Sequence, residues 1–256
     1  MAEVTANGVR FHVQRLPATG ALPRPTAVFV HGLVMDNLSS FYYTLANPVA
    51  AAGAEVILYD LRGHGRSERT PSGYAVTDSV ADLDAVLDAL DVDEPVHLVG
   101  NSYGGTVALA FAVSHPERVA SLVLIEAHFA IEGWGEQMAG TLSEVAFGLR
   151  DSDVDGWRNR HGRKLGRLAS TADDLINNTT LVDDLLAVKP ISADRLRHLR
   201  CPVRAFYGEH SDVLYHAEAL DGLLADFTLT VLPGCTHSVL MEATGAVRDA
   251  LVGWVR

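Results

Sequence analysis

Cysteine is scarce in this sequence. Its 256 residues hold two, Cys201 and Cys235, far apart and without Cys-x-x-Cys or Cys/His spacing. That excludes a disulfide framework and points away from structural zinc, so a reduced, cytoplasmic setting is expected. Lysine is equally scarce, Lys164 and Lys189 alone, and positive charge is in deficit, with 20 basic against 32 acidic residues and a net charge of −12. A surface of that sign repels phosphate backbones and anionic bilayers, so neither nucleic acid nor a membrane is an expected partner. Long hydrophobic runs are lacking too. The longest uncharged stretch, Pro95 to Pro116, is broken by Gly100-Asn101-Ser102-Tyr103-Gly104-Gly105 into strand, turn and helix. The first residues carry Glu3, Arg10 and His12 and have no continuous apolar core of the secretory kind. Gly63-His64-Gly65 is too short for a phosphate-cradling turn, and with no metal or dinucleotide signature no cofactor is expected.

What is present is apolar sequence in quantity, 48% of the chain against 20% charged, enough for one sizeable core. Short β-rich runs alternate with helical patterns, the rhythm of an α/β protein with helices on both faces of a mostly parallel central sheet. Strands are predicted at about residues 9–14, 26–31, 55–60, 96–100, 121–126, 203–208 and 228–232. Most of the later ones are continuous apolar runs, as strands buried on both faces should be. Asn7-Gly8 before alternating Val9, Phe11 and Val13 predicts an antiparallel edge hairpin. Helices are predicted over 77–90, 103–114 and 243–255. In the first, Val80, Leu83, Val86, Leu87 and Leu90 share a face opposite Asp78, Asp82, Asp84 and Asp88. From 128 to 190 the strand rhythm stops. Residues 1–127 and 191–256 therefore read as the core and 128–190 as a helical lid insertion.

Gly100-Asn101-Ser102-Tyr103-Gly104 fits G-x-S-x-G between the apolar run Val96 to Val99 and a helix. Such a turn raises the Ser102 hydroxyl above the sheet, and the helix N-terminus behind it favours developing negative charge. With His31-Gly32, Asp60-Leu61-Arg62-Gly63-His64-Gly65-Arg66-Ser67, His115-Pro116-Glu117-Arg118-Val119, Gly208-Glu209-His210-Ser211-Asp212 and Gly234-Cys235-Thr236-His237 in order along the chain, the sequence resembles the α/β-hydrolase fold superfamily over nearly its whole length.

A serine hydroxyl needs a general base, and His237 lies beyond the last strand where one belongs. Of the other histidines, His31, His64, His97, His115 and His128 flank strands and read as structural or site-lining, with His31 taken as substrate-binding. The base needs a carboxylate. Asp212 fits best because it follows an apolar strand and keeps the order Ser, Asp, His; Glu126, ending the strand 121–126, is the alternative acid, and Glu209 a lesser rival. Asp60 reads as a cap for the Gly63-His64-Gly65 loop. The resemblance places the two oxyanion donors at the backbone N–H groups of Leu33 and Tyr103, and implies a serine hydrolase acting on a carboxylic ester or thioester. A C–C bond hydrolase, perhydrolase or lyase on the same triad, or a slow-turnover ligand receptor or accessory protein, are the alternatives. Relatives that open epoxides or displace halide carry an aspartate where this chain has Ser102, which disfavours those activities.

Within the insertion, Trp134, Met138, Phe147 and Trp157 are expected to line the underside of the lid and so to bind a small-molecule acyl substrate. Arg158, Arg160, Arg163, Lys164 and Arg167 concentrate positive charge in an acidic chain. That stretch is either a solvated face or a docking strip for an anionic partner such as an acyl carrier protein or CoA.

Overall fold

The computed structural model describes residues 2–19, 24–151, 168 and 170–254. Eight strands form one sheet in the order β1-β2-β4-β3-β5-β6-β7-β8: β1 Ala2–Ala6, β2 Val9–Leu16, β3 Thr26–Val30, β4 Glu55–Tyr59, β5 Val96–Asn101, β6 Val119–Ile125, β7 Val203–Gly208 and β8 Phe227–Leu232. The pairs β1/β2 and β2/β4 are antiparallel, and every other pair is parallel. The edge hairpin turns on Asn7 and Gly8, both at positive φ (47° and 73°), the conformation an Asn-Gly hairpin turn demands.

Alternate residues of the central strands feed two separate cores, as a period of two requires. Val28 and Val30 of β3 pack with the helices Val76–Ala89 and Tyr103–Ser114 on one face. Ala27 and Phe29 pack on the other with Phe41, Leu45, Val49, Val247 and Leu251. The three predicted helices are found within two residues of their expected ends, as Val76–Ala89, Tyr103–Ser114 and Thr244–Trp254.

One member of the expected solvent face of Val76–Ala89 is not there. Asp82 is 2% exposed, accepting from Arg62 Nε and Nη2 at 2.9 and 2.6 Å and from Asn7 Nδ2 at 2.8 Å. The loop after β4 and the edge hairpin both cross this helix at that turn, and a carboxylate buried there is tolerated because it is paired.

Between β6 and β7 the described residues of 128–190 contain no strand; the helices Trp134–Asp151 and Leu181–Leu186 lie there. Leu142, Leu175, Leu181 and Leu185 join the larger core. Tyr74 N–H donates to Asp184 at 2.9 Å and Thr180 N–H to Pro71 O at 3.0 Å, fastening the segment to the loop after β4. Arg158 to Arg167, and Trp157 with them, lie outside the described residues. Among the described residues no helix is long and apolar enough to cross a membrane.

Candidate active site

Strand β5 ends at Asn101 and the helix Tyr103–Ser114 begins two residues later, leaving Ser102 alone to make the turn. It does so at φ 51°, ψ −120°, a conformation costing a non-glycine residue roughly 1–3 kcal/mol. The turn is held by Ser102 N–H donating to Ile125 O at 2.8 Å and Gly105 N–H donating to Ser102 O at 2.9 Å. A Cβ on Gly104 would lie 2.0 Å from Val30 O, so only glycine lets the helix start close against the end of β3.

The loop after β8 brings His237 over this turn. Its Nε2 stands 3.3 Å from Ser102 Oγ and its Nδ1 3.0 Å from Glu126 Oε2. Since a carboxylate only accepts, Nδ1 carries the proton and Nε2 is left to accept from the serine hydroxyl. Thr236, one residue earlier, is tied to Glu242 through its N–H (2.7 Å) and its hydroxyl (2.9 Å), which anchors the loop.

The expected order of the two acids is reversed. Asp212 lies 4.0 Å from His237 Nδ1 with its side chain 82% exposed, whereas the Glu126 side chain is fully buried. The reason is the register of β6 on β7. Ile125 pairs with Phe206, so the next residue meets the end of β7, where Gly208 N–H donates to Glu126 Oε1 at 2.5 Å and the Ser211 hydroxyl donates to Oε2. The turn after Gly208 directs Ser211 inward and leaves the next side chain, Asp212, in solvent. Glu209 is also half-exposed and accepts from Gly234 N–H at 2.9 Å rather than from the base. The signal in the sequence was Glu126 itself, a single charge in the apolar stretch from Val119 to Ile131.

The N–H groups of Leu33 and Tyr103 donate to no acceptor among the described residues. Both adjoin Ser102, Tyr103 in sequence and Leu33 through Gly32, whose added Cβ would lie 3.6 Å from Ser102 Cβ. The Tyr103 side chain is engaged elsewhere: its ring is buried, its hydroxyl sits 3.0 Å from Ser79 Oγ, and burial pushes its pKa to about 12.

His31 does not face a substrate, contrary to expectation. It is 0% exposed, with Nδ1 2.7 Å from Gly32 O and Nε2 accepting from Leu61 N–H at 2.9 Å. Trp134 and Met138 are buried among the larger core's residues, while the Phe147 side chain and Trp157 lie outside the described residues. Asp60 caps the loop as expected, accepting from Arg66 N–H and Leu38 N–H, each at 2.9 Å. Two further histidines lie beside the site: His128, read from the sequence as structural or site-lining, and His216, which the sequence did not single out. The ring of His128 lies 5.4 Å from that of His237 and 5.5 Å from that of His216. Burial lowers their pKa values to about 3 and about 4, so both are neutral near pH 7. Among the described residues no cluster of His, Cys, Asp and Glu is suited to hold a metal ion.

Known proteins share this fold. The profile of the alpha/beta hydrolase fold matches residues 25–244. A 2-hydroxy-6-oxononadienedioate/2-hydroxy-6-oxononatrienedioate hydrolase of Paraburkholderia phymatum is 43% identical over 114 residues, 42% of this chain and 37% of that protein. Curated relatives match over 34% to 81% of their own lengths. Among solved structures, one described as an N-acyl homoserine lactone degrading enzyme superposes with a TM-score of 0.75 at 26% identity, covering 99% of this chain and 100% of that one. A thermophilic esterase from Thermogutta terrifontis superposes with a TM-score of 0.76 at 21% identity, covering 100% and 97%. The chain belongs to the α/β hydrolase fold family.

Proposed function

We propose that the protein is a serine hydrolase that cleaves a carboxylic ester or thioester through an acyl-enzyme on Ser102. The observation carrying this reading is the continuous chain from Ser102 Oγ through His237 (3.3 Å) to the buried Glu126 (3.0 Å). Ser102 attacks the carbonyl carbon while His237 Nε2 takes its proton, and Glu126 holds the imidazole in the required tautomer and stabilises the imidazolium. The distance at Nε2 is at the long end for a hydrogen bond and shortens when substrate closes the site. The Leu33 and Tyr103 N–H groups donate to the developing oxyanion, each such donor being worth roughly 3–4 kcal/mol of barrier. His237 returns the proton to the leaving group, then deprotonates a water that attacks the acyl-enzyme and releases the acid. The helices of 128–190 act as a lid over the acyl group.

Intact-protein mass spectrometry after brief exposure to p-nitrophenyl esters, acyl-CoA thioesters and vinylogous diketones tests this directly. An acyl adduct lost in Ser102→Ala is expected, together with loss of fluorophosphonate labelling. Labelling retained at another residue overturns the assignment. The 43% identity over 114 residues favours one second reading, hydrolysis of a C–C bond on the same triad. It is the better description where the diketone is turned over and the esters are not.

A further inference from the structure

The loop that carries Leu33 is held in an unusual conformation, and the holding groups are two buried imidazoles. Val34 has φ 65°, a left-handed value that a β-branched side chain rarely adopts. Around it Met35 N–H donates to Leu33 O at 2.9 Å, closing a three-residue γ-turn of the strained hand. Left to itself such a turn relaxes by rotating its peptide planes, so something must hold them.

Each peptide plane flanking Leu33 is bonded to one histidine. The first plane joins the Gly32 carbonyl to the Leu33 N–H. His31 Nδ1 lies 2.7 Å from Gly32 O, which only accepts, so the ring donates there; its Nε2 accepts from Leu61 N–H at 2.9 Å. In a trans peptide the C=O and N–H point in opposite directions, so fixing the Gly32 carbonyl aims the Leu33 N–H the other way. The second plane joins the Leu33 carbonyl to the Val34 N–H. That N–H donates to His64 Nε2 at 2.8 Å, and His64 Nδ1 donates to Arg62 O at 2.8 Å. The two rings meet edge to face, 5.2 Å between centroids, and each is at most 2% exposed. Each one thus springs from one loop and bonds a backbone amide of the other.

We propose that His31 and His64 are positioning residues that, as neutral Nδ1–H tautomers, aim the Leu33 N–H at the oxyanion of the Ser102 reaction. Neither ring touches substrate. The inference rests on the oxyanion role given to Leu33 above and adds what orients that donor. Burial lowers the His64 pKa to about 3, in keeping with a nitrogen that must stay an acceptor.

The two rings use opposite nitrogens for the task, which allows a crossed test. In side-chain reach, asparagine mimics Nδ1 and glutamine mimics Nε2. His31 orients the loop by donating from Nδ1, so His31→Asn keeps the contact and His31→Gln loses it. His64 orients it by accepting at Nε2, so His64→Gln keeps the contact and His64→Asn loses it. Loss of an oxyanion donor costs about 10²–10³ in kcat, and a donor misplaced by about 1 Å costs about 10². His31→Gln and His64→Asn are therefore expected to lose at least about 30-fold in kcat with KM nearly unchanged, and to weaken trifluoromethyl ketone binding in parallel. His31→Asn and His64→Gln are expected to lose less than about fivefold on both readouts. Equal losses in all four variants, or losses that follow melting temperature rather than this crossed pattern, overturn the proposal.

Because a variant at a buried site can fail to fold, ¹⁵N spectra of the wild-type imidazoles give an independent decision. Both rings are expected as Nδ1–H tautomers at pH 8, and an Nε2–H tautomer in either one overturns the brace. Absence of ester turnover in the wild type would instead refute the functional reading, and the tautomer measurement would still decide whether the brace exists.

Discussion

Replacing Glu126 by Gln keeps the shape of the side chain and removes its charge, so it isolates what the carboxylate does for His237. With Nδ1 3.0 Å from Oε2 and the carboxylate fully buried, an effective dielectric of about 20 gives an attraction to the imidazolium of roughly 5 kcal/mol. That converts to a factor of about 10³–10⁴ in rate, the size seen when a triad acid is neutralised elsewhere. Asp212 is 4.0 Å from the same nitrogen but 82% exposed, where water reduces the interaction to about 1 kcal/mol, or about fivefold. The assay is kcat/KM on a p-nitrophenyl ester at neutral pH for Glu126→Gln and Asp212→Asn, with thermal melting to confirm folding. Because the Ser211 hydroxyl touches Glu126 Oε2, Glu126→Ala combined with Ser211→Asp puts a carboxylate back within reach of Nδ1 and is expected to recover at least about tenfold over Glu126→Ala. An equal loss in Asp212→Asn and Glu126→Gln, or an undiminished Glu126→Gln enzyme, refutes the reasoning.

Acid should unfold this protein through its histidines. His64, His128 and His216 titrate near 3, 3 and 4 when folded against 6.5 when unfolded, because burial disfavours their charged forms. The unfolded chain therefore takes up protons that the native one refuses. The associated stability is fully present above pH 6.5 and falls as pH drops toward 4, by about 1.4 kcal/mol per pH unit for each group. Urea melts between pH 7 and 5 check this, and His216→Gln should reduce the slope by close to one proton; an unchanged slope contradicts it. Asp82→Ala leaves the Arg62 guanidinium, 12% exposed, without its buried partner and should cost about 3–5 kcal/mol, read by denaturant unfolding. Reversing charge at Arg160, Arg163 and Lys164 is expected to slow turnover of a carrier-bound thioester more than that of a small neutral ester; equal effects on both dispose of the docking strip.

The parts of this protein that were legible in its sequence are those that local chemistry decides. The central strands announced themselves as apolar runs, the helix Val76–Ala89 by its 3.6-residue period, and the edge hairpin by Asn7-Gly8, though its first strand, Ala2–Ala6, was not placed from the sequence. Ser102 was equally plain, since a strand, a tight turn and a helix with glycine at 100 and 104 are encoded within a few neighbouring residues. His237 followed from its place after the last strand. The carboxylate was not decided locally: which of Glu126 and Asp212 reaches His237 depends on how β6 registers against β7, an arrangement between segments about eighty residues apart. The same holds for Asp82, whose helical position said solvent until the edge hairpin and the loop after β4 closed over it. His31 too looked like a site residue from its place beside Gly32, yet packing turned its ring inward onto backbone amides. Periodicity and turn chemistry act over a few residues and can be read along a chain; burial and hydrogen-bond partnership are made between distant segments and exist only once the chain has folded.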